Sequence, residues 1–484
     1  WTQPFTITDA GEEITGVDIA VSGATDLAGN TQGSKITVDL FNVDTKNPTG
    51  TITIGTATIS DSDLVQEVTV SYDEEMSATP APTITFSGGT TWTAVTATGA
   101  WNTVNTVWTQ SFTITDAGEE ITGVTVTSSG AKDVAGNTEG AGTPAMFAVD
   151  TKNPTVAVTS TTANGAYNEG DQINVTLTFS ENITSTGDIT VTLNTGGTCV
   201  IPQINTAINT ATCNYVVQAG DTSSDLAVNS IAGTIIDASG NATSLTPTSN
   251  ISNTSNIVID TTAPANFTVG TVTTTGGTVV SGKWNSTNTG INVIAPIADD
   301  GSLVGGTIQL QAKITGGTFT DLGSAVSIPS VNTTQTVSIS DTDFEKITGF
   351  ADDKTVTITA IITDTAGNPT TGTESATTIY IDQTVPVVTV DKLTTNDSTP
   401  QLTGTIDDSS AIIQVTVNSV NYTAIISGNA WTANVTTALV DGTYDVAVAA
   451  TDPAGNTGSD ATSNELVIDT QIPTITELYP IDSS

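Results

Sequence analysis

Asp133-Val-Ala-Gly-Asn137 and, shortly after it, Val149-Asp-Thr-Lys-Asn-Pro154 carry the strongest structural signal in this chain. Each stretch has five related copies. Copies of the first begin at Asp26, Asp133, Asp237, Asp364 and Asp452, and copies of the second have their aspartate at Asp44, Asp150, Asp260, Asp382 and Asp469. Successive Asp-x-x-x-Pro stretches lie 87 to 122 residues apart. A turn, one strand and a proline-closed junction, repeated about every 100 residues, predict a tandem array of modules.

The junctions set the expected module boundaries. Residues 1–17 repeat residues 108–124 at all but one position, so 1–44 are expected to be the C-terminal part of a truncated domain. Complete domains are expected at 45–150, 151–260, 261–382 and 383–469, with 261–382 the most divergent of them. Residues 470–484 are expected to start a further domain or to form a tail.

The expected fold class is all-β, a tandem array of immunoglobulin-like β-sandwich domains. Thr, Val and Ile alternate with polar residues, and turn signals recur every 8 to 12 residues. In the first complete domain the alternation predicts strands at 49–54, 67–72, 83–86, 92–98, 108–114, 122–126 and 145–149. In the later domains it predicts second strands at 172–179, 291–296 and 401–406, and one penultimate strand over 442–452.

Charge excludes several classes of function. The chain has 50 acidic residues and nine basic ones, all lysine, for a net charge of −41, and it has no arginine and no histidine. Nucleic-acid binding and histidine-dependent nucleophilic catalysis are therefore not expected. Paired carboxylates could serve glycoside hydrolysis, but these acids recur in every module, so no enzyme is expected. A halophilic surface is the rival explanation of the acidity, although only 12% of residues are charged.

Topology should bring the acids of neighbouring modules together. In an immunoglobulin-like sandwich, the loop after the second strand and the loop before the last strand lie at the pole where the chain enters. The junction aspartate of the preceding module should lie at the same pole. The expected groups are Asp44 with Asp73, Glu74, Asp133 and Asn137; Asp150 with Glu181, Asp237 and Asn241; Asp260 with Asp299, Asp300, Asp364 and Asn368; and Asp382 with Asp407, Asp408, Asp452 and Asn456. Asp26 and Asn30 are the corresponding turn residues of the truncated domain.

Calcium is the cofactor that such groups predict. Several carboxylates within a few ångströms repel one another, and Ca²⁺ takes six to eight oxygens from carboxylates, amides and backbone carbonyls. A single Asp-x-x-Gly-Asn stretch is more simply a polar turn in which the aspartate bonds its own backbone. Because the stretch recurs five times, and each copy is paired with a junction aspartate, a metal site is favoured over a simple polar turn.

Cys199 and Cys213 are the only cysteines, 14 residues apart, on two predicted strands around a loop near 203–209. They are expected to face each other across a hairpin and to form a disulfide, the alternative being two unpaired core thiols. No run of 18 apolar residues predicts a membrane-spanning helix.

The Asp-x-Ala-Gly-Asn turn and the Val-Asp-Thr-x-x-Pro junction resemble those of bacterial Ig-like domains in giant calcium-binding surface adhesins. The last domain, with TNDSTPQLTGTIDD and ATDPAGNT, carries the resemblance best, and 265–350 carry it least. The resemblance implies a secreted, extracellular protein at the cell surface, in which the chain is a stalk that calcium stiffens. The expected partners are neighbouring repeats. The alternative is a subunit of an extracellular filament in which strands are exchanged between copies.

Overall fold

The protein is described by a computed structural model covering residues 1–88, 92–94 and 99–475, with the backbone alone for 92–94. Part of the strand predicted at 92–98 and most of the segment 470–484 lie outside the described residues. The chain divides into two compact units, Trp1–Gly165 with Gly170–Ile259, and Ala166–Glu169 with Asp260–Ser484. The fold is all-β, a series of immunoglobulin-like β-sandwiches.

Residues 1–44 contain one antiparallel pair, β1 (Glu13–Val21) and β2 (Lys35–Asp44). Residues 1–10 form no strand, although nearly the same sequence forms one in the next domain. The difference follows from pairing, since the copy in the next domain has strand partners on both sides. A strand exists only where another strand takes its backbone hydrogen bonds.

Domain 45–150 is a two-sheet sandwich. Its strands are β3 (Gly50–Ile54), β4 (Thr58–Ile59), β5 (Val65–Tyr72), β6 (Thr83–Ser87), β7 (Trp92–Ala94), β8 (Ala100–Trp101), β9 (Val107–Ile114), β10 (Glu120–Ser129) and β11 (Ala145–Asp150). One sheet has the order β3-β5-β9-β7, with β8 also on β9, and the other has the order β4-β11-β10-β6. In β5 alternate residues are buried, which is the period-two pattern of a strand with one face in the core.

Residues 151–259 form the next sandwich. Its strands are β12 (Val156–Thr159), β13 (Gly165–Tyr167), β14 (Gln172–Ser185), β15 (Ile189–Leu193), β16 (Thr198–Ile201), β17 (Ile208–Val216), β18 (Thr222–Ser223), β19 (Val228–Ala232), β20 (Ile235–Ile236) and β21 (Ile257–Asp260). One sheet has the order β12-β14-β17 and another β16-β15-β19.

The domain 261–382 contains β22 (Val272–Thr275), β23 (Lys283–Trp284), β24 (Gly290–Ile297), β25 (Thr307–Ile314), β26 (Thr320–Ser327), β27 (Thr333–Ser340), α1 (Asp341–Phe344), β28 (Thr355–Thr363), β29 (Pro369–Thr371) and β30 (Ile379–Ile381). Its sheets have the orders β22-β24-β27 and β23-β30-β28-β25-β26. The helix α1 is a single turn whose Phe344 is buried beside Trp284.

The domain 383–469 contains β31 (Leu393–Thr395), β32 (Gln401–Thr405), β33 (Ile412–Val417), β34 (Val420–Thr423), β35 (Ile425–Ser427), β36 (Ala430–Asn434), β37 (Gly442–Tyr444), β38 (Val446–Thr451), β39 (Thr457–Asp460) and β40 (Leu466–Ile468). Its sheets are β31-β40-β37, β32-β36-β35 and β34-β33-β38-β39.

Three clusters of buried apolar side chains each lie within one expected domain. They run from Ile52 to Val149, from Val269 to Ile381 and from Val388 to Ile468. Trp431, fully buried at the centre of the last cluster, donates from Nε1 to the carbonyl of Thr389 at 2.9 Å. Each of these three domains therefore has its own core.

Two strand predictions were wrong in detail. The strand predicted to end before Ser180 continues to Ser185, and its pairing with β17 breaks between Thr178 and Ile183. The stretch 442–452 is two strands, because the chain changes sheet at Asp445: β37 pairs with β40 and β38 with β33. The alternation of apolar and polar residues does not show where a strand ends its pairing with one strand and begins pairing with another.

Cys199 and Cys213 form a disulfide with a Cα–Cα distance of 5.7 Å. The hairpin expected around it is absent, because β16 pairs with β15 whereas β17 pairs with β14. The bond therefore connects two sheets of the domain. Ile201 and Ile204 are buried between the two cysteines.

Candidate metal centres at the module junctions

The five Asp-x-x-Gly-Asn turns have the same closed geometry. In each, the aspartate N–H donates to the carbonyl of the asparagine at 3.0 to 3.2 Å. The aspartate Oδ1 accepts from the asparagine N–H at 2.8 to 2.9 Å. Glycine adopts φ between +86° and +101° in all five, which explains its place in the motif.

In each of the four complete domains, the Asp-x-x-Gly-Asn turn is hydrogen-bonded to the junction that precedes the domain. The asparagine Nδ2 donates to the backbone carbonyl of the junction aspartate in four places: Asn137 to Asp44 at 3.1 Å, Asn241 to Asp150 at 2.9 Å, Asn368 to Asp260 at 2.9 Å and Asn456 to Asp382 at 2.8 Å. This bond places the two recurring stretches side by side. It also fixes the end of one module against the turn of the next.

The first junction brings three acids together. Oxygens of Asp44, Glu74 and Asp133 all lie within 4.8 Å of one another. Glu74 follows β5 by two residues, and its Oε1 is buried and accepts no hydrogen bond within the described residues. Burial raises the pKa of Glu74, and the charges of Asp44 and Asp133 raise it further. Lys46 is the one cation that lies within 4.0 Å of Glu74 in the part of the chain that the structure describes, with its Nζ 4.0 Å from that Oε1.

The second junction repeats this arrangement with Asp150, Glu181 and Asp237, again within 4.8 Å. Glu181 lies in the part of β14 where the regular pairing with β17 is interrupted. Such an irregularity redirects the side chains of a strand, and the carboxylate of Glu181 lies beside Asp150 and Asp237. Burial raises the pKa of Glu181, and Asp237 and then Asp150 add to the effect. Two domains of different sequence thus bring a glutamate to the same place.

The two acid groups suit one hard cation each. Ca²⁺–oxygen distances are about 2.3–2.6 Å, so oxygens bound to one ion lie within about 5 Å of each other. Without a cation, each like-charge pair at 4.8 Å costs about 3 kcal/mol at an effective dielectric constant near 20. Two aspartates and a glutamate at this spacing therefore form a ligand set that suits calcium.

Other predicted ligands lie apart from the two groups of three. Asp73 accepts from Thr49 N–H at 2.7 Å and from Lys46 Nζ at 3.1 Å, and the first of these contacts is the main reason its pKa is lowered. Asp300 caps a short 3₁₀ helix by accepting from Ser302 N–H at 3.0 Å, and Asp299 is exposed. Within residues 1–44, Asp26 and Asn30 form the closed turn on an exposed surface.

The fourth junction has a wider acidic cleft of about 370 Å³, lined by Asp352, Asp353, Asp382, Thr384, Pro386, Asp407, Asp408 and Asp452. Asp407 accepts from Val387 N–H at 2.7 Å, and Asp408 accepts from Ser410 N–H at 2.8 Å. Burial raises the pKa of Asp382, with Asp452 the largest of the neighbouring charges that add to it. At the third junction, Asp364 and Asn368 meet Asp260 through the bond described above.

Sequence reasoning did not predict that further acids of the preceding module also lie at the junctions. Asp352 lies before β28, and it accepts from Gln383 N–H at 2.8 Å and from the Thr384 hydroxyl at 2.5 Å. Glu119 lies before β10 in the same way, and its N–H donates to the Thr151 hydroxyl at 3.1 Å. Acidic pairs at 12–13, 119–120 and 352–353 all lie at or just before the start of the strand that precedes the Asp-x-x-Gly-Asn turn, a recurrence that was available in the sequence.

The bacterial Ig-like domain family matches residues 388–470. This segment is similar to bacterial Ig-like domains. The match covers the last complete sandwich, including β31 to β40 and the turn at Asp452. It confirms the resemblance in the part of the chain that carries it best. Among curated proteins, none matches the chain.

Two solved structures show remote similarity. The human desmocollin-1 ectodomain is 11% identical, with a TM-score of 0.22, over 95% of this chain and 87% of that one. Dimeric latent PorU from Porphyromonas gingivalis is 12% identical, with a TM-score of 0.15, over 68% of this chain and 35% of that one. At these TM-scores neither similarity carries an argument. Within the described residues, no helix is long and apolar enough to cross a bilayer.

Proposed function

We propose that this chain is a stalk segment of an extracellular, repetitive surface protein or adhesin, stiffened by calcium at its module junctions. The observation that carries the proposal is the pair of acid groups Asp44–Glu74–Asp133 and Asp150–Glu181–Asp237. In each group the first aspartate belongs to the end of one module and the other two acids to the next. A cation bound there would connect successive modules.

Calcium would act by relieving repulsion at the junction. Six to eight oxygens are needed, and the carboxylates could be completed by backbone carbonyls and water. An affinity of about 0.1–1 mM, typical of extracellular modules, would saturate the sites outside a cell and leave them empty in cytosol. The other two junctions, at Asp260 and Asp382, are expected to bind calcium more weakly, because within the described residues three acids come within 4.8 Å of one another only at the first two junctions.

The test is thermal unfolding and small-angle scattering of the full chain in EDTA and in calcium. With sites of 0.1–1 mM affinity, about 10 mM calcium should stabilise by roughly 1–3 kcal/mol per site. Glu74→Gln and Glu181→Gln should each remove part of this gain. Glu75→Gln is the matched control, because Glu75 is exposed and outside the group of three. Equal melting temperatures and scattering curves in EDTA and calcium would contradict the proposal.

A second candidate is a filament subunit that accepts a strand from another copy. The supporting observation is an open apolar groove lined by Phe5, Ile7, Val17, Ile19 and Phe41. The residues at the corresponding positions of the next domain, Phe112, Ile114, Val124, Val126 and Phe147, are buried in its core. Sedimentation at rising concentration tests this candidate: self-association that Phe5→Ser abolishes would support it, and a monomer throughout would exclude it.

A further inference from the structure

Asn241 contacts the domain before its own. Its Nδ2 donates to Asp150 O and to Asp237 Oδ2, at 2.9 and 2.8 Å. Its Oδ1 accepts from the backbone N–H of Asp61 at 3.0 Å, across 180 residues of sequence. The side chain is completely buried. Both ends of the amide are therefore used by the protein, and the oxygen is used by the preceding module.

Asn456 repeats the arrangement in a different pair of domains. Its Nδ2 donates to Asp382 O and to Asp452 Oδ2, both at 2.8 Å. Its Oδ1 accepts from the backbone N–H of Ser286 at 2.8 Å and from the Ser286 hydroxyl at 2.7 Å. Asn456 is also completely buried.

Neighbouring side chains reinforce both contacts. Asn285 is completely buried, and its Nδ2 donates to the carbonyl of Ala454 in the next turn at 2.7 Å. At the other junction Asn153, with its amide oriented to satisfy both partners, donates to Asp61 Oδ2 and to Ala242 O, each at 2.9 Å.

Asp61 and Ser286 occupy the same structural position. Asp61 follows β4 and Ser286 follows β23, and each of these short strands pairs in parallel with the last strand of its domain. Each loop thus lies at the pole where the chain leaves the domain. The donor common to both is a backbone N–H, so the contact does not require one residue type at that position.

We propose that these hydrogen bonds, from Asp61 to Asn241 and from Ser286 to Asn456, are a docking contact that orders the two junctions without any cation. The partner is the neighbouring module of the same chain. Hydrogen bonds formed inside a buried contact are favourable in net over the bonds to water that replace them, so undocking is opposed even when the acids repel. Calcium then adds stiffness to a junction that is already docked. The inference extends the stalk function, but its test uses cation-free protein and does not depend on calcium binding.

Asparagine-to-aspartate variants separate this role from that of a metal ligand. Aspartate keeps an acceptor at Oδ1 but replaces the two Nδ2 donor contacts with repulsion against Asp452 Oδ2 and the Asp382 carbonyl. Asn456→Asp should therefore break the docking contact. A residue that served as a cation ligand would instead bind calcium at least as well with the added charge. Asn30→Asp is the matched control, because Asn30 lies in the same turn on an exposed surface.

The experiment is amide hydrogen exchange of the full chain in EDTA, read at single residues by fragmentation mass spectrometry. The amides of Asp61 and Ser286 should exchange roughly tenfold or more slowly than in the urea-unfolded chain. Asn241→Asp should release the Asp61 amide and Asn456→Asp the Ser286 amide, each variant leaving the other junction protected. Asn30→Asp should release neither.

Two results would overturn the docking contact. One is exchange of both amides in EDTA at the unfolded rate, with protection returning only in calcium. The other is unchanged protection in Asn241→Asp and Asn456→Asp. Core amides of β14 and β38 report whether each variant domain is folded, and Ser286→Ala provides a milder change that removes one hydroxyl bond. If calcium has no effect on the chain but the two amides are protected, the docking contact stands and the calcium proposal fails.

Discussion

The Nδ2 of Asn241 donates to the backbone carbonyl of Asp150, 2.9 Å away and 91 residues earlier in the chain. The bond connects the turn of one module to the end of the module before it. It recurs at Asn137, Asn368 and Asn456, so the two recurring stretches of the sequence are two halves of one junction. The acids collect at this point because the junction is where both stretches meet.

Removing the Asn241 amide should destabilise its domain. Asn241→Ala leaves Asp150 O, Asp237 Oδ2 and Asp61 N–H without a partner in a buried site. We expect a loss of about 3 kcal/mol in the free energy of unfolding, measured in urea. Asn30→Ala should cost much less, because its turn is exposed and water replaces the lost bonds. Equal costs for the two variants would refute the assignment.

Acidification should affect cation-free protein in a defined direction. Burial and neighbouring acids raise the pKa of Glu74 and Glu181 above the ordinary 4.5. A raised folded-state pKa means that the folded state binds protons more tightly, so stability is gained as pH falls from 7 through that pKa and is lost as pH rises. The melting temperature in EDTA should rise on mild acidification.

The pH effect has its own control. In the double variant Glu74→Gln and Glu181→Gln, the part of the rise in melting temperature that comes from these two carboxyl groups should disappear. The Glu75→Gln variant should behave like the unaltered chain. In saturating calcium the trend should reverse, since protons compete with the ion for the same carboxylates. A rise of the same size in the double glutamine variant would show that other acids cause it.

Reduction should weaken only the domain that contains the disulfide. The bond closes a loop of 14 residues between two sheets. Its loss should cost about 3 kcal/mol, an estimate for a loop of roughly this length. Calorimetry of the oxidised chain and of Cys199→Ala with Cys213→Ala should show one transition moving down. Movement of every transition would mean that the domains do not unfold independently.

The domain 383–469 should not tolerate a side chain at Gly404. A methyl group there would overlap the Thr389 carbonyl and the indole of Trp431, which is fully buried. Gly404→Ala should cost about 2 kcal/mol or more, since a packed core offers little room to relax. Gly442→Ala is the control, because its nearest heavy atom would be 3.8 Å away. Chemical denaturation followed by Trp fluorescence measures both.

Much of this arrangement could be predicted from recurrence. Repetition of Asp-x-x-Gly-Asn beside Asp-x-x-x-Pro indicated modules of about 100 residues, and the alternation of Thr and Val with polar residues indicated strands. What recurrence could not show is which of two adjacent acids turns inward. Asp73 is held by the Thr49 N–H and Lys46, which leaves Glu74 to face Asp44, and backbone donors of this kind are invisible in a sequence.

The same limit explains the other differences. Residues 1–10 and 108–117 are nearly identical, yet only the second copy has partners to form β9. The docking contact uses the backbone N–H of Asp61 and of Ser286, so no shared residue type marks it. Which strands pair, and which backbone groups form hydrogen bonds, depends on the fold of the whole domain. A short stretch of sequence therefore does not show it.

Calcium titration calorimetry of the full chain and of the Glu74→Gln and Glu181→Gln double variant tests whether the two groups of three acids bind calcium. We expect the variant to bind two fewer calcium ions, one for each group of three acids, or to bind them at least roughly tenfold more weakly. Glu75→Gln should titrate like the unaltered chain. The same binding isotherm for the unaltered chain and the double variant would contradict the assignment of calcium to these two junctions.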